Sequence, residues 1–213
     1  AGEPFMIQVW AYLPSGEADP TYEGEHTILF QAQVSESPLG FTPSIPQMLT
    51  LEFESGVGTT DKEFVFFNAS ESPIIAVWEE GIGGPKGASE PIGVKPAALS
   101  QFGIVLESPQ TNGCPFQGKN EIHAIDQYGN LVEDFAREVW FNPTANVGEL
   151  SIGGDPSGVI PASAFRRGVA DLTTLKIIYN TEKTGCFPIL ESFIVSYQDM
   201  EGHSPEVLIN ENP

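Results

Sequence analysis

Basic residues are what this sequence has least of: nine Lys and Arg stand against 29 Asp and Glu in 213 residues, a formal net charge of -20. So few cations cannot neutralise a run of phosphates, which excludes nucleic acid as a partner and disfavours anionic membrane surfaces. Long apolar runs are missing too. The longest, such as FMIQVWAYL, are strand-sized and fall well short of the roughly 18 residues of a spanning helix, so no membrane insertion is expected. Only two cysteines and three histidines are present. Two Cys cannot build a structural zinc site alone, and no His stands at ligand spacing from either. His26, His123 and His203 are scattered one per strand or turn, and His123 is expected half-exposed on the face opposite Ile122 and Ala124.

The motifs of catalysis are absent as well. There is no HExxH, no GxSxG elbow and no EF-hand loop. GCPFQGKN, residues 113–120, comes nearest, with Gly113, Gly118 and Lys119 spaced as in a phosphate-binding loop. Its last position is Asn120 where Ser or Thr would hold magnesium, and the following EIHAIDQ alternates as a strand, so no helix N-terminus faces a phosphate. GIGGPKG, 81–87, reads as an interstrand turn. Carboxylate pairs abound in so acidic a chain, but nothing singles out one pair as acid and base. No enzyme and no resident cofactor is expected.

What the acidity favours is solubility, repulsion between free chains and capture of divalent cations by loop carboxylates. Calcium is the one ligand kept open, at Asp126, Asn130 and Asp134 in IDQYGNLVEDF, or at Glu17, Asp19, Glu23 and Glu25 in SGEADPTYEGE; the competing reading is solvated acidic loops. Asn68-Ala69-Ser70 is an N-glycosylation sequon, or else an unmodified turn after a strand. The chain opens Ala-Gly-Glu-Pro without Met, as a mature exported product or a fragment does, and export is expected.

Gly and Pro punctuate short runs rich in Phe, Ile, Val and Thr, which predicts many strands. In HTILFQAQVS, residues 26–35, Ile28, Phe30, Ala32 and Val34 share one face. Further strands are expected at 5–13, 48–53, 63–68, 74–78, 101–106, 121–125, 137–141, 172–179, 189–197 and 206–209, with one short helical turn in PASAFRRG, 161–168. The order also repeats. Residues 26–53 and 120–141 both read strand, polar turn, strand, and 72–94 resembles 191–210. Two β units are expected, 1–95 and 96–213, joined near VKPAAL. In this reading IDQYGNLVEDF is a hairpin-like turn, with Gly129-Asn130 supplying backbone freedom and Asp126 an acceptor for turn amides.

IDQYGNLVEDF, with the entry GASEPIGVKPAALSQFGIV, resembles the tandem Ig-like repeats of bacterial and archaeal surface proteins, the invasin and intimin type. The resemblance covers about residues 97–210 well and the first unit in outline. It implies an all-β fold of two Ig-like sandwiches in tandem, located extracellularly or at the cell surface and serving as stalk, spacer or adhesive module. In an Ig-like order Cys114 and Cys186 precede the second and sixth strands of the second domain at the same pole. A disulfide is then expected, against two unpaired thiols. Closing about 70 residues would stabilise the fold by roughly 4 kcal/mol.

The first strand, EPFMIQVWAYL, hangs on the linker PSGEADPTYEGE, so it can pair at home or be donated to a neighbour. Donated, Phe5, Ile7, Val9 and Ala11 would enter the neighbour's core. The leading expectation is therefore a non-catalytic structural subunit of a filament or surface assembly, self-associating into a homopolymer by strand exchange. The alternative is an adhesin or carbohydrate-binding stalk module, with Trp10, Trp78, Tyr128 and Trp140 as stacking platforms for a glycan.

Overall fold

The computed structural model describes every residue except Ile82, Asn146, 183–186 and Pro213. The fold is all-β and of sandwich type, with no α-helix among the described residues. Two compact units form: residues 1–97 together with 128–130, and residues 98–127 together with 131–213.

In the first unit one six-stranded sheet holds β1 (Gln8–Trp10), β2 (Gly24–Ala32), β3 (Met48–Glu54), β4 (Val57–Thr59), β5 (Ile75–Glu79) and β6 (Lys86–Ala88). Their order is β1-β4-β3-β2-β5-β6, and each neighbour pair is antiparallel. Sequence alternation sets the faces. In MLTLEFE, Leu49, Leu51 and Phe53 are buried while every residue between them is exposed. Ile28 and Phe30 of β2 and Ile75 of β5 turn to the same side and meet Phe64 and Phe66 from the segment after β4. Full burial of each such side chain contributes about 1.5–3 kcal/mol. Phe5 packs edge-on to Phe66, with ring centroids 5.2 Å apart.

The second unit has more, shorter strands: β7 (Leu99–Val105), β8 (Gln110–Thr111), β9 (Glu121–Asp126), β10 (Val139–Pro143), β11 (Glu149–Ile152), β12 (Val159–Ile160), β13 (Phe165–Arg166), β14 (Val169–Asp171), β15 (Ile177–Asn180), β16 (Ile189–Glu191), β17 (Phe193–Tyr197), β18 (Met200–His203) and β19 (Val207–Asn210). Two four-stranded sheets, β12-β10-β17-β18 and β13-β14-β9-β7, are joined by the pairs β11-β15 and by β16-β19-β8, whose β19-β8 pairing is parallel. Between them lies one core, including Ile122, Phe141, Ile160, Ile177, Tyr179 and Phe193, each essentially inaccessible. The sheets meet at one edge where β18 crosses β7. A Cβ on Gly202 would lie 2.3 Å from the Phe102 carbonyl oxygen, so only glycine allows that approach.

Several expectations are corrected. The strand over 5–13 shrinks to Gln8–Trp10, flanked by single bridges Phe5–Phe64 and Tyr12–Ala18. The strand over 63–68 is reduced to bridges from Phe64 to Phe5 and from Val65 to Ser44. Pro4, Pro43 and Pro46 remove donors from the chains on either side of it. The strand over 172–179 starts only at Ile177, because Asp171 Oδ1 accepts from the Thr173 and Thr174 amides and holds a turn. The run 189–197 breaks at Ser192 into two strands of different sheets. The short helical turn expected within 161–168 is present, as a 3-10 turn at Ala162–Ala164.

The repeat also parts company with the structure. β2 and β3 pair as a hairpin, whereas β9 and β10, their counterparts in IHAIDQYGNLVEDFAREVWF, lie in different sheets. A tight turn does follow β9, closed by the Ile125–Leu131 bridge, with Gly129 at φ 87°. The chain then leaves the sheet because Phe135 is drawn into the core, its ring against Phe102, Phe165 and Tyr197. An apolar anchor four residues beyond the turn overrides the hairpin pattern.

Candidate functional site: an open seam in the first unit

Six strands joined only by antiparallel pairs place β6 antiparallel to β1, so the sheet could close on itself directly. It does not. Among the described residues β1 pairs with β4 alone and β6 with β5 alone. Between these two edges runs a cleft of about 520 Å³, in the range of ligand sites. Its floor is apolar, formed by Ile7, Val9, Ile28, Phe53, Ile75 and Val77.

Backbone polarity alternates along each edge. The Ala11 amide donates to Gly56, the Thr60 amide to the Ile7 carbonyl, and Val9 stands opposite Gly58, so odd-numbered residues of β1 face β4. Gln8 and Trp10 therefore turn their amides and carbonyls to the cleft. On the other side the Glu79 amide donates to Pro85 and the Ser89 amide to Ile75, with Gly87 opposite Val77. Lys86 and Ala88 then face the cleft in the same way. Two edges with matching unpaired groups border one apolar floor.

Titratable groups gather at one end. The Tyr22 ring stacks on His26 at a centroid distance of 4.0 Å, and His26 Nδ1 lies 2.7 Å from Glu79 Oε1. The Tyr22 hydroxyl is pushed up to about 12, first by burial and then by its hydrogen bond to Glu79 and that carboxylate's charge. Asp19 also lines this end, with Oδ1 accepting from both the Thr21 amide and the Thr21 hydroxyl. Gly56, at φ 81°, lets the β3–β4 turn pass beside the linker. A Cβ there would lie 2.4 Å from the Asp19 carbonyl oxygen.

The residues singled out in the sequence are distributed as follows. Phe5, Ile7 and Val9 pack against the core of their own unit, and Ala11 pairs with Gly56. Trp10 on the β1 edge and Trp78 on β5, beside the β6 edge, both border the cleft. Tyr128 is held in a ring cluster with Phe41 and Phe67, and Trp140 stands 44% exposed on β10. Asn68 Nδ2 donates to the Glu36 carbonyl and its Oδ1 accepts from Ser70, so a glycan at Nδ2 would replace the first of these bonds. Asn130, grouped with the first unit, commits its amide to the Phe67 carbonyl and the Ala69 N–H. Asp126 is buried and Asp134 exposed in the second unit. Among the described residues no three His, Cys, Asp or Glu side chains gather at metal-ligand range. Cys114 is half-buried after β8, and its expected partner Cys186 lies outside the described residues.

Two polar constellations went unread in the sequence. Glu191, 1% exposed, accepts from the Tyr179 hydroxyl at 3.0 Å and from the Ala145 and Ser192 amides at 3.1 Å. Burial foremost, then that hydrogen bond, raises the Tyr179 hydroxyl above its ordinary value. The second explains GCPFQGKN. Buried Asn120 donates to the Gln117 and Gly118 carbonyls and accepts from the Glu107 amide, while Gln110 bridges Glu107 and Gln117. Asn120 is thus the turn's internal brace. The only signal in the sequence was a polar residue at the head of an alternating strand.

No protein-family model matches the chain, and no curated protein matches it significantly. Among solved structures it is similar to domains 5–6 of the S-layer protein SbsC, at 14% identity and a TM-score of 0.33, covering 100% of this chain and 91% of that one. It is also similar to a beta-glycosidase from Bacteroides vulgatus, at 12% identity and a TM-score of 0.32, covering 99% of this chain and 25% of that one. Among the described residues no helix is long and apolar enough to cross a membrane.

Proposed function

We propose that the chain is a non-catalytic structural protein of the extracellular or cell surface, whose copies are joined into a filament or layer by exchange of β1. The observation that carries this reading is β1 itself. It is followed by the linker after Leu13 and held along one edge by three residue pairs. Large apolar side chains stand on both its sides: Phe5, Ile7 and Val9 pack inward, while Met6, 61% exposed, Trp10, 50%, and Tyr12, 62%, flank the polar Gln8 on the outer face. A strand with large apolar groups on both sides is suited to burial on both, which its own unit does not provide. Residues 4–16 also carry no charge, so this segment can approach another copy of a chain at -20 without adding like charge.

Deleting residues 1–13 tests the reading by light scattering and negative-stain microscopy. The intact chain is expected to assemble and the truncated chain to stay monomeric until a peptide of residues 1–13 is restored. A truncated chain that assembles with unchanged subunit contacts overturns it. The adhesin reading is favoured by one observation, that Trp10 and Trp78 border the same cleft. Selective glycan binding by monomers on an array, abolished in Trp10→Ala, would support it instead.

A further inference from the structure

We propose that the seam between β1 and β6 is an acceptor site for one extended segment of a partner protein, apolar at alternate positions and carrying a Lys or Arg at one end. The site differs from the β1–β4 pairing that strand exchange would use, and it is present whichever copy supplies β1.

The cleft selects a strand by its own geometry. Gln8 and Trp10 on one wall, and Lys86 and Ala88 on the other, turn toward the space between N–H and C=O groups that find no strand partner among the described residues. Only an extended backbone offers donors and acceptors on both sides at once. Because β1 and β6 run antiparallel, the inserted strand runs antiparallel to one wall and parallel to the other. Side chains alternate along it, so every second residue meets the floor of Ile7, Val9, Ile28, Phe53, Ile75 and Val77 and must be apolar. Both walls are three residues long, so about three residues of the partner pair with them directly.

Charge and topology identify the source. Asp19 and Glu79 lie at the Trp10–Lys86 end, with His26 paired to Glu79, while Lys86 stands opposite Trp78 and so on the face away from Val77. Residues 1–97 hold 14 carboxylates and three lysines, which draws a cationic segment and repels an acidic one. A second copy does not supply the strand. Its uncharged segment, residues 4–16, holds β1, already a wall of the cleft, and among the described residues its other strands are committed within sheets.

The test uses the full chain and a labelled peptide, acetyl-Lys-Val-Thr-Val-Thr-Val-Lys, by fluorescence anisotropy. Saturable binding is expected, at least tenfold weaker for the same peptide with Glu at both ends. Gln8→Pro and Ala88→Pro each remove one cleft-facing donor while keeping the home pairing, and each is expected to weaken binding about tenfold. Unchanged thermal melting of the variants shows that the fold is kept. Failure of the basic peptide to saturate, or binding unaltered in both proline variants, overturns the proposal. So does a chain whose seam amides are protected by a second copy and which refuses the peptide. Assembly lost on deleting residues 1–13 while the full chain still ignores the peptide would sink the acceptor site and leave β1 exchange standing.

Discussion

The two units bury their apolar faces by different means. In the second, four sheets wrap a single core, and its buried polar groups are braced internally: Glu191 by Tyr179 and two amides, Asn120 by the turn it anchors. In the first, one sheet curls around a smaller core and stops short of closure, leaving two edges, a cleft and an outward row of Met6, Trp10 and Tyr12. Unpaired edges are a liability that natural sheets normally cover or charge. Here the exposed edge strand is among the least charged parts of a very acidic chain, which fits a surface kept for pairing.

That contrast is sharpest under mutation. Phe193→Ala should cost about 3–5 kcal/mol, since its ring packs on Phe116, Phe141 and Tyr179; the fluorescence of Trp140, in the same unit, follows the loss in a denaturant titration. Glu191→Ala should cost about 1–3 kcal/mol, because the Tyr179 hydroxyl and two amides lose their acceptor. In the first unit Val9→Ala should cost only about 1 kcal/mol, as the side chain is half-buried beside the cleft. Trp10→Ser should change stability by less than about 0.5 kcal/mol yet reduce assembly, the opposite of the second-unit pattern.

The smallest expected effect is on pH dependence. Tyr22 has a folded value of about 12 against an ordinary 10, so the folded state holds its proton more tightly than the unfolded chain. Its contribution is complete below pH 10 and is lost as pH rises through 10 toward 12. Tyr22→Phe should remove that part of the alkaline loss, read as a flatter decline in melting temperature over this interval.

Much of this fold was written in alternation. MLTLEFE and EIHAID show the same period in letters and in burial, because each lies in a sheet with one face on a core. Shorter pieces such as β4, β6, β12 and β13 hold only two or three residues, too few for a period to register. The β9–β10 hairpin failed for a reason no local window carries, the capture of Phe135 by rings from distant strands. As for the site, EPFMIQVWAYL is legible as a strand tethered by the linker that follows it, but not as one wall of a seam. Its facing wall, KGA, has nothing in its letters to mark it, because a seam is a property of sheet order. Tyr22, His26 and Glu79 likewise meet only after β2 and β5 pair.

The central claim is that the first unit's sheet is open between β1 and β6, and amide hydrogen exchange on the monomeric chain tests it residue by residue. Ile7, Val9 and Ala11, facing β4, should exchange slowly, while Gln8, Trp10, Lys86 and Ala88 should exchange about a hundredfold faster. Protection of Trp10 and Lys86 equal to that of Val9 would mean that the edges pair with each other, and the account would be wrong.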